Sequence, residues 1–159
     1  MNNGATFSED RKHRFALWRI WNEDKPLVMF IGLNPSTASE KGDDNTIRRV
    51  IKYAYSWGFG GLYMMNLFTY ITPYPRELEH SEHLIAENDR NLLEIREKCE
   101  MVVFMWGSFK QARMRAAHAK TMFPGAYCFR QTLNGSPFHP LYLKSGLKPI
   151  PFIYDCQNA

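Results

Sequence analysis

A single α/β domain built on a mostly parallel sheet is predicted by three observations. Short apolar runs alternate with helical patterns along the chain, and each apolar run ends in glycine, proline or a lone polar residue. No repeat, low-complexity segment or internal linker divides the 159 residues, a length typical of one domain. With 45% hydrophobic and 14% aromatic residues the chain can bury a substantial core. The centre is Leu27 to Ile31, an apolar run between Pro26 and Gly32 that reads as a strand buried on both faces.

Residues 1–10 are polar and read as a flexible arm, leaving 11–159 as the domain. Phe15 to Trp21 alternates imperfectly, and the turn-like segment from Asn22 to Pro26 leads into the central strand. This pattern predicts a hairpin whose first strand lies at the sheet edge, with a short helix as the alternative. Pro35 steers Asn34 away from helical geometry, so the chain turns sharply past Gly32. Asp44 or Asn45 is placed to cap a helix carrying Ile47, Val50, Ile51, Ala54 and Tyr55 at helical spacing, and Gly58, Gly60 and Gly61 end it. Leu62 to Phe68 is a second strand, interrupted by Asn66, after which Pro73 and Pro75 break the chain. Ser81 to Cys99 places Leu84, Ile85, Asn88, Leu92 and Ile95 on one face of a surface helix. Met101 to Trp106 is a third strand, closed by Gly107 and Ser108. A basic helix over Phe109 to Phe123 and a fourth strand over Ala126 to Gln131 follow, then an irregular segment from Leu133 to Pro149.

Composition narrows the classes of function. No apolar run nears the roughly 20 residues of a membrane span, and Met1 to Arg14 lacks the apolar stretch of a secretory signal. A cytoplasmic monomer without a membrane partner is expected. Cys99, Cys128 and Cys156 are too far apart for a zinc or iron–sulfur motif, so neither metal nor cofactor is expected. The net charge of +4 permits contact with phosphates. Basic residues bunch at Arg11 to Arg19, Arg48 to Lys52, Lys110 to Lys120, and Lys144 with Lys148.

Strands of a parallel sheet point one way, so the loops at their carboxyl ends meet, and ligands of such sheets bind there. That edge would gather Asn34 to Thr37, Asn66 to Tyr70, Trp106 to Ser108, and Ser136 to Lys144 with its lone His139. Taken singly, each has a plain structural reading: a capping turn, an asparagine bonded to a neighbouring loop, a packing histidine.

Taken together, four segments resemble the uracil-DNA glycosylase superfamily in their order. GLNPSTA is similar to its first motif, GLYMMNLFTY to the strand that delivers a base-reading asparagine, MVVFMWGSFKQA to the strand before its last helix, and SPFHPLYL to its His-Pro motif. The resemblance covers about Pro26 to Leu143 and is greatest to a small bacterial and phage branch with an Asn-Pro-Ser-Thr first motif. It implies a three-layer sandwich with four parallel strands in the order 2-1-3-4, flanked by helices, with the hairpin at one edge. It implies a DNA glycosylase-like hydrolase, acting on uracil or another altered pyrimidine in single- or double-stranded DNA without metal. Asn34 would position water, His139 would donate to the departing base, and Asn66, with Gly32 and Leu33, would read that base. Asp44 is either a helix cap or a second candidate for activating water. DNA contacts would fall to Pro35, Ser36, Thr37, Arg48, Ser108, Ser136, Pro137, Leu141, Tyr142 and Lys144. Two other classes remain open: a nucleoside or nucleotide hydrolase or transferase using the same pocket, and a nucleic-acid-binding module without turnover.

Overall fold

The computed structural model describes residues 1–80 and 84–154. Its core is a seven-stranded mixed sheet: β1 (Asn2–Phe7), β2 (Arg14–Ile20), β3 (Leu27–Gly32), β4 (Gly61–Asn66), β5 (Met101–Phe104), β6 (Tyr127–Cys128) and β7 (Ile150–Pro151), in the order β1-β2-β4-β3-β5-β6-β7. β4, β3, β5 and β6 run parallel, and antiparallel strands extend the sheet on both sides. The expectation of a four-stranded parallel sheet is therefore corrected to a larger, mixed one.

Two further corrections concern the amino-terminal region. The expected flexible arm is β1, zipped onto β2 from Asn2↔Ile20 to Thr6↔Ala16. Its sequence hides this because an edge strand buries little and needs no apolar run. The predicted hairpin between β2 and the central strand does not form either. β4 inserts between them, pairing Leu17↔Met64 on one side and Leu27↔Gly61 on the other. With β1 outside it, β2 is covered along both edges, and most of RFALWRI is buried.

Side-chain alternation sorts the core into two layers, one on each face of the sheet. Val28 and Phe30 face helix α1 (Asn45–Ser56), which contributes Ile47, Val50, Tyr53 and Ala54. Met29 and Ile31 face the opposite layer, with Leu92 of α2 (Ile85–Arg96) and Ala116 and Ala119 of α3 (Arg113–Met122). The basic helix begins with a 3₁₀ turn over Lys110–Ala112 rather than as one regular helix from Phe109. Of the helix expected from Ser81, the part at 81–83 lies outside the described residues, as does Cys156.

The start of α1 is fixed by its cap, Asp44. One carboxylate oxygen accepts from Ile47 N at 2.9 Å, and the other from Ala38 N at 3.3 Å. A cap of this kind satisfies donors that a helix leaves open in its first turn.

Candidate functional site

A cleft of about 500 Å³ opens at the carboxyl ends of the four parallel strands. Leu33 to Ser36 follow β3, Asn66 ends β4, Met105 to Phe109 follow β5, and Phe138, His139, Leu141 and Tyr142 come from the segment after β6. The start of α1 adds Asp44, Thr46 and Ile47, and β2 adds Arg14. The side chains expected to read a base, place water and donate to a leaving group thus line one hollow.

Asn66 is positioned by register. It pairs with Gly32 across the parallel β3–β4 ladder, and a Cβ on Gly32 would come within 2.9 Å of both Asn66 Oδ1 and Met64 Cε. The missing side chain of Gly32 is therefore the space in which the amide lies. The backbone just past its Cα is pinned from the opposite layer: Asn88 Nδ2 donates to Asn66 O at 2.8 Å and Leu67 O at 3.2 Å, and Arg115 Nε donates to Leu67 O at 2.9 Å. Arg115 is held in turn by Asp89 at 2.7 Å. Asn66 itself is only 4% exposed, yet its side-chain amide bonds to none of the described residues. The amide atoms are not enclosed, so they open to the cleft, where water or a ligand can complete them.

Asn34 is fixed in a different way. Its Nδ2 donates to Thr72 O at 2.7 Å, Pro35 O at 3.1 Å and Tyr70 O at 3.5 Å. Because every partner is a carbonyl, the orientation of the amide is determined: NH₂ ties the two loops together. The remaining atom, Oδ1, accepts from no described residue, which makes it an oriented acceptor on the cleft wall.

His139 begins the 3₁₀ turn Pro140–Tyr142, and its Nδ1 accepts from Leu141 N at 3.2 Å. The neutral ring therefore carries its proton on Nε2, the nitrogen left to act as donor. Burial pushes the imidazole below its ordinary range, against a smaller upward pull from the Asp44 carboxylate, so the ring is neutral at pH 7. Its segment is fastened along α1 by Arg49 to Leu143 O, by Tyr53 to Lys144 O, and by Trp57 Nε1 to Leu147 O at 2.9 Å. These donors recur every four residues and form one stripe on the helix. Gly107 N donates to Pro137 O at 2.8 Å, which joins the loop after β5 to the same segment.

Of the expected DNA-contacting residues, Pro35, Ser36, Ser108, Leu141 and Tyr142 line the cleft, whereas Thr37, Arg48, Ser136, Pro137 and Lys144 do not. Thr37 is turned to solvent. Arg48 is exposed and donates to Asp43 O at 2.9 Å and Asn45 Oδ1 at 2.6 Å, fastening the turn before α1. Pro137 is buried beneath the loop. Asp44 lines the cleft, but the two amide bonds of its cap occupy it.

Sequence reasoning missed Arg14, which sits within a basic run that reads as surface. It is 3% exposed, and it lines the cleft with one side-chain bond, from Nη1 to Ala38 O at 3.1 Å. The available signal was its place at the start of a strand whose other residues are nearly all apolar. Met64, Met105, Trp106, Phe109 and Phe138 supply the apolar walls.

Among the described residues no group of three or more His, Cys, Asp or Glu side chains could hold a metal ion. No helix among them is long and apolar enough to cross a membrane.

The chain belongs to the family described as Protein of unknown function (DUF1643), which matches residues 14–141. No curated protein and no solved structure matches the chain. This finding corrects the resemblance to the uracil-DNA glycosylase superfamily, branch included: the four short motifs are shared in appearance, but the family that matches the chain over most of its length is a different one. Short motifs at strand ends arise from the demands of a parallel sheet and do not by themselves establish descent.

Proposed function

We propose that the cleft takes a nucleobase, and that the protein hydrolyses the N-glycosidic bond of an altered base, a pyrimidine carried in DNA in the cytoplasm. The observation that carries this reading is the amide of the buried Asn66: held by register above Gly32, open to the cleft it lines and without a partner among the described residues. One amide supplies two donors and a carbonyl acceptor, which matches the mixed polarity of a pyrimidine edge. Apolar walls from Met64, Met105 and Phe138 suit the flat faces of a base.

The chemistry then assigns the other groups. As the C1′–N bond breaks, the sugar becomes positive and the base takes the bonding electrons. Asn34 Oδ1 accepts a hydrogen bond from a water and aims its oxygen at C1′. Asn34 is no base, and a dissociative reaction needs none until the water proton leaves for solvent or the departing base. The Nε2–H of His139 faces the negative charge that grows on the base, and a neutral donor of this kind acts electrostatically, without a full proton transfer. Asp44 holds the helix and contributes a nearby negative charge that favours the cationic sugar. Leu141 and Tyr142, exposed at the rim, are placed to fill a gap left in a base stack.

The test is an abasic-site assay on duplexes and single strands carrying uracil, 5-hydroxymethyluracil and other altered pyrimidines, run with the wild type and Asn34→Ala. Free base released by the wild type and lost in the variant is the expected result. Binding without release by the wild type would leave only a nucleic-acid-binding module, and release from free nucleosides alone would move the substrate from DNA to nucleosides.

A further inference from the structure

Two arginines of β2 are almost completely buried, and they are treated very differently. Arg19 has Nε on Asp43 Oδ1 at 2.8 Å, Nη1 on Trp18 O at 2.9 Å and Gly4 O at 3.5 Å, and Nη2 on Ser39 O and Gly42 O. All of its nitrogens are used. Arg14, at the cleft, uses Nη1 alone; Nε is buried with no partner, and Nη2 has none among the described residues. No carboxylate among those residues forms an ion pair with it.

The edge thus left over, Nε and Nη2, is the pair of parallel donors with which a guanidinium grips two oxygens of a phosphate or carboxylate. Burial pushes Arg14 down to about 10, Asp44 counters this in part and Arg19 adds to it, so the group remains a cation at neutral pH. Arg14 and Asp44 both line the cleft, and they are not equally available to a ligand. Asp44 has a backbone amide on each oxygen, whereas Arg14 holds a cationic edge in reserve. Ser36 and Thr46, whose hydroxyls bond to no described residue, line the same cleft.

We propose that Arg14 is a specificity-determining residue that receives a phosphate of the substrate, so that the cleft takes a nucleotide unit rather than a bare base or nucleoside. This rests on the reading of the cleft as a nucleobase site and adds its second anchor: Asn66 takes the base edge, and Arg14 takes the phosphate. The phosphate belongs either to a free mononucleotide or to the backbone of a polynucleotide, and the chemistry recognised is the same.

The test is isothermal titration of the full chain with 2′-deoxyuridine, its 5′-monophosphate, a dinucleoside monophosphate and inorganic phosphate. A phosphate-bearing ligand should bind at least about 10-fold more tightly than the nucleoside, the effect of one charge-assisted contact. Arg14→Lys, which keeps the charge and loses the paired edge, should retain part of that difference, and Arg14→Gln should remove it while leaving nucleoside binding in place. Gain from the monophosphate alone identifies a terminal phosphate, and gain from the dinucleoside as well identifies a backbone phosphate. Should Arg14→Gln fail to fold, the wild-type series still decides. Nucleoside binding with no gain from any phosphate overturns the role of Arg14 and leaves the nucleobase site standing. Stabilisation of the wild type by inorganic phosphate, with no nucleoside binding, does the reverse.

Discussion

The two ends of β2 teach how this fold separates scaffold from site. At Ile20's end, beside the turn before α1, Arg19 is buried and saturated, and its partners are an aspartate and backbone carbonyls that it holds in place. At the other end Arg14 is equally buried and nearly bare, and it shares the cleft with an asparagine whose amide has no partner among the described residues and another whose oxygen is left over. Buried polar groups in a folded protein are normally satisfied, because an unmade bond costs about 1–3 kcal/mol. Among the described residues three side-chain atoms are enclosed without a partner: Arg14 Nε at the cleft, and Arg49 Nε and Asn88 Oδ1 outside it. What sets the cleft apart is that Arg14 meets there the unpartnered amide of Asn66 and the free Oδ1 of Asn34, which is the basis of the proposed ligand site.

The strongest way to break the contrast is at the scaffold end. Arg19→Ala removes the donor of several carbonyls and the partner of the partly exposed Asp43, and it should lower stability by about 2–3 kcal/mol in denaturant unfolding. A loss under about 1 kcal/mol would make Arg19 as dispensable as a surface residue. At the cleft end the loss should fall on turnover. Asn34→Ala is expected to reduce base release on the order of 100-fold, by analogy with removal of one oriented polar group from an active site. Because its NH₂ also ties two loops, this variant should melt lower as well, so affinity for the product base is measured alongside.

Asn66→Leu sharpens the comparison in the opposite direction. An amide with no partner contributes no bond to the fold, so its removal should leave stability unchanged or raise it by up to about 1 kcal/mol while weakening base binding. A clear destabilisation would mean that the amide is structural. The smallest effect concerns pH. His139 in the fold titrates below its ordinary value of 6.5, so the unfolded chain holds more protons in the window between the two. Stability from this group is present above pH 6.5 and is lost as pH falls through that window. Turnover should therefore keep its neutral-pH level to below pH 6.5 before its acid limb begins, and an acid limb centred above 6.5 would exclude His139 as a neutral donor.

Much of this was legible in the sequence wherever a residue type has one physical solution. The apolar runs Leu27 to Ile31, Leu62 to Phe68 and Met101 to Trp106 contain buried strands, the second and third ending earlier than expected, at Asn66 and Phe104. The fourth, expected over Ala126 to Gln131, is only Tyr127–Cys128. Parallel strands bring their ends together. The sequence left the cap of α1 between Asp44 and Asn45, and the structure has it at Asp44. What escaped was set by pairing across long separations. Nothing in NNGATF announces that β1 will zip onto β2, and the insertion of β4 between β2 and β3 depends on distant pairs such as Leu17↔Met64. Arg14 escaped for the same reason: in a basic run it reads as solvated, and its partners, Phe7 across the ladder, Thr69 O and Ala38 O, come from other segments of the chain. Arg48 erred the other way, since an arginine near a helix start suggested a phosphate contact, whereas its own turn satisfies it.

The most direct measurement of the central claim is the side-chain amide resonance of Asn66, assigned by its disappearance in Asn66→Asp and followed by ¹⁵N NMR as a pyrimidine nucleotide is added. A ligand that completes this amide should shift both of its protons in a saturable manner, with the same apparent Kd as the phosphate-bearing ligand shows by calorimetry. An Asn66 resonance that stays fixed while the nucleotide binds elsewhere, or a resonance already showing a slowly exchanging, bonded amide in the free protein, would contradict the account.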